Sequence, residues 1–212
     1  HLVSEKLKGV VHQKVDLRQR IMKAQIHTAQ HLMCGIINKK YHAPTNSFFN
    51  DDFEAGIEML FDYFDEKTMH EIEELCNHYI REDLKVKIIY PSKEEALKHV
   101  GLEKVEHEKL RAVLIGDIDY NMCACIHVPS LRYIQMIKFQ RFEKTARGYK
   151  IYFLCGNQLL ESYEKQLSVL TKTSHRLVVP QLEVYDAVEK LKLEMKQMIQ
   201  KEAELKQKYS EL

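Results

Sequence analysis

The chain has 212 residues, 45% of them hydrophobic and 30% charged, with a net charge of +1. That length suffices for one large or two small domains with a real core, and the balanced charge excludes a molecule that binds polyanions over its whole surface. No apolar run approaches the roughly 20 residues a spanning helix needs, and an odd set of five cysteines fits a reducing cytoplasm better than a disulfide framework.

Residues 1–15 are short-patterned and read as extended, with Gly9, Val10, Val11 and Val15 suggesting the end of a strand. The first residue is His1 rather than Met, which is consistent with a fragment of a longer protein. Asp16 is a helix N-cap, and a helix is expected over 17–38 with Ile21, Leu32, Ile36 and Ile37 on its apolar face. His27 and His31 fall beside that stripe at i, i+4, so both rings leave one face of the helix. The polar run 42–47 is a loop, followed by an antiparallel hairpin turning around 51–54. Asp65 caps a helix over 66–82, in which Cys76 falls on the core face. Strand 84–90 ends at Pro91, and a short helix over 93–100 is stopped by Gly101.

A strand over 111–118 then leads straight into the stretch Cys123-Ala124-Cys125-Ile126-His127. Strands over 134–140 and 149–154 and a helix over 158–172 follow. The pattern is α+β: a mainly antiparallel sheet packed with helices, followed by a long C-terminal helix. After Pro180, residues Val184, Val188, Leu191, Met195, Met198, Glu202, Leu205, Tyr209 and Leu212 repeat at 4,3,4,3 spacing, the seam of a coiled coil with Glu202 as its one polar member. Residues 1–177 are therefore read as one domain, 178–212 as a coiled-coil helix, and the chain as a homo-oligomer through that helix.

His27 and His31 form one i, i+4 pair, and Cys123 and His127 form another. Imidazole and thiolate are the donors Zn²⁺ selects, and four of them make a tetrahedral set that only the fold can bring together. Cys125 is the rival sulfur. Two basic runs, Lys6 to Lys23 and Lys138 to Lys150, are the places where phosphate could be held; a solvated charged face is the alternative for each.

DLRQR, HTAQHLM, EMLFDY, IGDIDYNMCACIHV and YKIYFLCG, in this order over about residues 10–160, resemble the editing domain of alanyl-tRNA synthetase, and still more its free-standing relatives, the AlaX trans-editing proteins. The related editing domain of threonyl-tRNA synthetase shares the paired HxxxH and CxxxH. The resemblance implies a cytoplasmic, zinc-associated hydrolase that deacylates mischarged tRNA in trans, with Ser-tRNA(Ala) as the expected substrate and His27, His31, Cys123 and His127 as the metal ligands. Thr28, Gln30, Thr45, Asn46 and Ser47 are the expected pocket-lining catalytic residues, by their place beside the histidines or in the loop before the hairpin. A non-catalytic zinc-stabilised tRNA-binding or dimerisation module, and an editing fragment of a full synthetase, are the alternatives. The chain departs from the family where CGGTHV reads CACIHV, where TGEI reads LRYI at 131–134, and where a glycine-rich N-terminal barrel is represented at most by 1–15.

Overall fold

A computed structural model describes residues 9, 10, 12, 14–51, 54–100 and 109–210. The elements run α1 (Leu17–Tyr41), β1 (Thr45–Asn50), β2 (Ala55–Met59), α2 (Glu66–Arg81), β3 (Val86–Ile89), α3 (Lys93–Ala96), β4 (Ala112–Ile115), β5 (Asp119–Met122), β6 (Ile137–Lys144), β7 (Tyr149–Cys155), α4 (Gly156–Leu177) and α5 (Val184–Ser210). Short 3₁₀ turns occupy Leu131–Ile134 and Gln181–Glu183. The α+β expectation holds: every strand pairing is antiparallel, in a four-stranded sheet of order β1-β2-β7-β6 and a three-stranded sheet of order β3-β4-β5. No helix among the described residues is long and apolar enough to cross a membrane. The chain divides into two compact units, one up to Leu160 and one from Glu161.

In the first unit α1 is the central element. Asp16 caps it, accepting a hydrogen bond from the Gln19 amide at 3.1 Å, and His42 closes it in the left-handed region at φ 53°. The helix is buried on nearly every side from Thr28 to Ile37, rather than along the single stripe expected from the sequence. The reason is enclosure: α1 touches α2 and strands of both sheets, so its polar side chains are buried along with its apolar ones. Ile26, Leu32, Met33 and Ile37 join Ile57, Ile115, Ile137 and Phe153 in one core. Each such side chain contributes about 1.5–3 kcal/mol. Gly35 permits a close approach of α1 to the segment around Ile118; a Cβ there would lie 2.7 Å from the Ile118 carbonyl oxygen and 3.0 Å from Asp119 Cβ.

Several boundaries differ from expectation. The strand expected over 111–118 is a hairpin, β4 and β5, turning at Gly116 with φ 52°. Glycine tolerates that left-handed turn, and the short residues around it gave no alternation to mark it. The strand expected to begin at Ile134 begins at Ile137, because Leu131–Ile134 forms the 3₁₀ turn, burying Leu131 and Ile134. Gly9, Val10, His12, Lys14 and Val15 form no strand; the rest of 1–15, the tip of the first hairpin at 52–53, and Gly101 lie outside the described residues. Cys76 is fully buried, as expected of a core residue.

The second unit contains most of α4, from Glu161 on, the turn after it and α5. Val178 ends α4 at φ 57°, an unusual conformation for a β-branched residue, held by the Val179 amide on the Ser174 carbonyl and by Ser174 Oγ donating to the Val179 carbonyl at 2.6 Å. In α5 no residue is buried.

Candidate metal centre

α1 presents His27 and His31 on one face, and the segment leaving β5 presents Cys123 and His127. The ligand atoms of these four residues all lie within 4.8 Å of one another. His27 Nε2 is 3.2 Å from Cys123 Sγ, and His127 Nε2 is 3.4 Å from the same sulfur. Phe48 on β1 packs its ring against His27. Cys125 is exposed and is not one of the four clustered residues; its backbone amide donates to Cys123 Sγ at 3.4 Å.

What holds the rings matters as much as the four donors. His31 Nδ1 lies 2.6 Å from the Asp119 carboxylate, which leaves Nε2 to face the cluster. Thr28 spends its one hydroxyl proton on the Ala24 carbonyl at 2.7 Å, so His127 Nδ1, 3.2 Å from Thr28 Oγ1, must donate to it, and the Val128 amide donates to the same oxygen. That fixes the His127 tautomer with its Nε2 lone pair toward Cys123. Nδ1 of His27 has no comparable partner among the described residues.

The electrostatics follow from this crowding. Burial opposes ionisation of the Cys123 thiol, but His127, His27 and His31 outweigh it and bring its pKa down to about 3. Burial likewise opposes charge on His31, yet Asp119 and Cys123 raise its pKa to about 9. Burial, foremost, lowers that of His127. A thiolate surrounded by imidazoles, two of them oriented by an oxygen acceptor on the far nitrogen, is the donor set and outer shell that a zinc ion takes.

The five residues expected to line the pocket are dispersed. Thr28 is buried against His127. Gln30 is buried and donates to Cys34 Sγ at 3.3 Å. Asn46 Nδ2 and Ser47 Oγ both donate to Glu58 on β2, and Thr45 opens β1 at an exposed position. No hydrogen bond among the described residues joins Gln30, Thr45, Asn46 or Ser47 to the four cluster residues. Asp119 was not singled out from the sequence, although it sits four residues before Cys123, inside the quoted motif.

The basic run 138–150 is largely committed. Arg141 forms a bidentate pair with Glu54, at 2.6 and 2.9 Å, Lys138 pairs with Glu73 at 2.7 Å, and Lys150 lies over the Phe49 ring at 4.0 Å. At the departures from the family pattern, neither Ala124 nor Cys125 takes a positive φ, so the missing glycines impose no left-handed strain there.

Residues 110–150 match the family described as the threonyl and alanyl tRNA synthetase second additional domain, a stretch that includes Asp119, Cys123 and His127. Across nearly the whole chain the similarity is to alanyl-tRNA editing proteins and synthetases. Alanyl-tRNA editing protein AlaX-L of Pyrococcus horikoshii is 31% identical over 180 residues, 77% of this chain and 43% of that protein. The chain belongs to the AlaX-type and alanyl-tRNA synthetase editing family. Alanyl-tRNA editing protein Aarsd1 of Danio rerio is 29% identical over 211 residues, 93% of this chain and 50% of that protein. The alanine–tRNA ligase of Pyrococcus abyssi is 26% identical over 208 residues, 94% of this chain but 23% of the ligase. The chain thus spans half or less of these editing relatives. The family match reaches only Cys123 and His127; the fold brings His27 and His31 to them by setting α1 against β5.

Proposed function

We propose that this chain is a zinc-dependent trans-editing deacylase of the cytoplasm that hydrolyses the ester of mischarged tRNA, with Ser-tRNA(Ala) as its substrate. The observation that carries the reading is the convergence of His27, His31, Cys123 and His127, with Asp119 and Thr28 orienting two of the rings. The names of the relatives, alanyl-tRNA editing proteins, support the substrate class. The functional division is proposed at 177/178, with the C-terminal helix serving self-association.

Hydrolysis adds water across the bond between the aminoacyl carbonyl and a ribose oxygen, through a tetrahedral oxyanion, and releases the amino acid and the free tRNA end. A bound zinc ion would supply Lewis acidity for water or carbonyl oxygen, or a fixed point for the substrate amine. Four protein donors fill a tetrahedron, whereas catalytic zinc keeps a position open. His27 is the donor best able to give way, since its far nitrogen has no partner among the described residues while His31 and His127 are held. The full donor set is also what favours the second reading, a non-catalytic zinc-stabilised tRNA-binding module.

Deacylation of Ser-tRNA, Gly-tRNA and Thr-tRNA with and without chelator separates the two. The deacylase reading expects about one zinc per chain, Ser-tRNA hydrolysis that chelator abolishes and zinc restores, and a rate lower by at least about a hundredfold in His31→Ala, the scale of losing an oxyanion-type stabiliser. Equal hydrolysis by His31→Ala and the unmutated chain would leave only the binding module.

A further inference from the structure

Of the five cysteines, Cys34, Cys76 and Cys155 are buried, Cys123 is half-buried and Cys125 is exposed. The last two stand two residues apart on the irregular segment that leaves β5. Two residues of fully extended chain span about 7 Å, the outer limit for the Cα atoms of a disulfide. The chain here is not extended: it bends at Cys125 and returns that residue's amide to the Cys123 sulfur at 3.4 Å. The Cys125 thiol hydrogen-bonds to the same sulfur. Where the family pattern CGGTHV has glycine, this chain has that second sulfur.

The surroundings hold the pair in place. Arg111 donates to the Cys123 carbonyl and fixes the start of the segment. Neither Ala124 nor Cys125 takes a positive φ, so no left-handed strain opposes a short ring there. A partly exposed sulfur with a second thiol in contact is the arrangement in which oxidation stops at a disulfide instead of running on to sulfinic acid.

We infer that Cys123 and Cys125 are a peroxide-oxidised pair that closes into a disulfide and, in closing, withdraws Cys123 from the metal ligands. The Cys123 thiolate attacks one oxygen of hydrogen peroxide. The O–O bond breaks, leaving a sulfenic acid and a hydroxide that takes a proton from solvent. The Cys125 sulfur attacks the sulfenic sulfur, the S–O bond breaks, and the hydroxyl leaves as water with the Cys125 proton. The two sulfurs lose an electron pair, the peroxide gains it, and both its oxygens end as water. A disulfide sulfur is not the thiolate that zinc takes, so three imidazoles remain of the donor set. A dithiol reverses the bond by exchange. The bond stands on the contact between the two sulfurs; the metal loss rests on the zinc reading.

The test uses the full chain, zinc-loaded and chelator-stripped, treated with hydrogen peroxide beside Cys125→Ser and Cys125→Gly. Trypsin cutting after Arg111 and Arg132 leaves both cysteines on one peptide, 112–132. From the unmutated chain that peptide is expected to become lighter by the pair of hydrogens a disulfide loses, while a metal-binding dye takes up the zinc released. Dithiothreitol should restore peptide mass and zinc capacity together. The variants cannot close the ring. Their peptide should instead gain oxygen at Cys123, as sulfinic or sulfonic acid, and their lost zinc capacity should not return with dithiothreitol. Before peroxide, zinc content and melting should be the same in all three proteins.

A 112–132 peptide that loses no hydrogens in either metal state would overturn the inference. So would Cys125 bridging two chains, or zinc capacity that recovers as fully in the variants as in the unmutated chain. The two readings fail separately. Closure in a chain that binds no zinc keeps the disulfide and removes the metal centre. Zinc retained over an open pair after peroxide keeps the centre and removes the disulfide.

Discussion

Two long helices of this chain have opposite relations to their surroundings. α1 has 25 residues, 14 of them buried; α5 has 27 and none. Both carry apolar residues at helical spacing. In α1 the surrounding sheets cover them and the polar residues between, so tertiary packing fixes each side chain, including the two histidines. In α5 the spacing is that of a seam, and Leu191, Met195, Met198 and Leu205 are each at least 50% exposed. Glu202, its polar member, pairs with Lys206 at 2.7 Å along the same helix. A buried helix can hold chemistry in place; an exposed seam is suited to a partner helix.

The sharpest way to break this contrast is to remove one side chain from each helix. Leu32→Ala, at a fully buried position, should cost about 3 kcal/mol in urea unfolding. Leu193→Ala, 58% exposed on α5, should stay within about 0.5 kcal/mol. Similar costs would mean that α5 is covered in solution or α1 is not.

A smaller effect should come from the contact that makes α1 a site rather than a strut. Asp119→Asn keeps the shape and removes the charge that orients His31, and zinc affinity should fall about tenfold to a hundredfold in a competition titration with a chelating dye. His27→Ala should weaken zinc less than His31→Ala, since among the described residues His31 and His127 have an orienting partner and His27 has none. The reverse order would assign the movable position to another ligand.

The smallest effect on the fold belongs to the seam. Leu191→Lys with Met198→Lys should leave the first unit's unfolding unchanged within about 0.5 kcal/mol, yet convert the protein to a smaller species in sedimentation. A monomer before mutation would remove the self-association proposal.

Local signals in the sequence were read correctly where the physics is local. Asp16 and Asp65 cap the helices expected to follow them, the latter accepting from the Thr68 amide at 2.8 Å. The pairing of His27 with His31 was legible because i, i+4 spacing puts two rings on one helical face, whereas Cys123 and His127 keep that spacing on an irregular segment. Asp119 was not, since its contact with His31 joins positions 88 residues apart and leaves no periodic trace. Asn46 and Ser47 were chosen by nearness along the chain, but the strand carries them to Glu58, and Phe48 between them and Asn50 is the one against His27. The basic run was counted along β6 and β7; its partners Glu54 and Glu73 come from elsewhere in the chain. The β4–β5 turn was lost because a single glycine inside an apolar run marks a bend only weakly.

The distance in sequence between the two candidate ligand pairs has a consequence of its own. His27 and Cys123 are 96 residues apart, so an ion held by both would clasp almost half the chain into a loop. Closing a loop of that length is costly in chain entropy, though each doubling adds only about 0.6 kcal/mol, and folding has met that cost before the ion arrives. The ion would then act as a clasp on the first unit, adding about 2.7 kcal/mol to its stability at a free concentration a hundredfold above its Kd. α5 lies outside the loop and would gain nothing from it, so metal supply would set the lifetime of one part of the molecule and leave the other part indifferent.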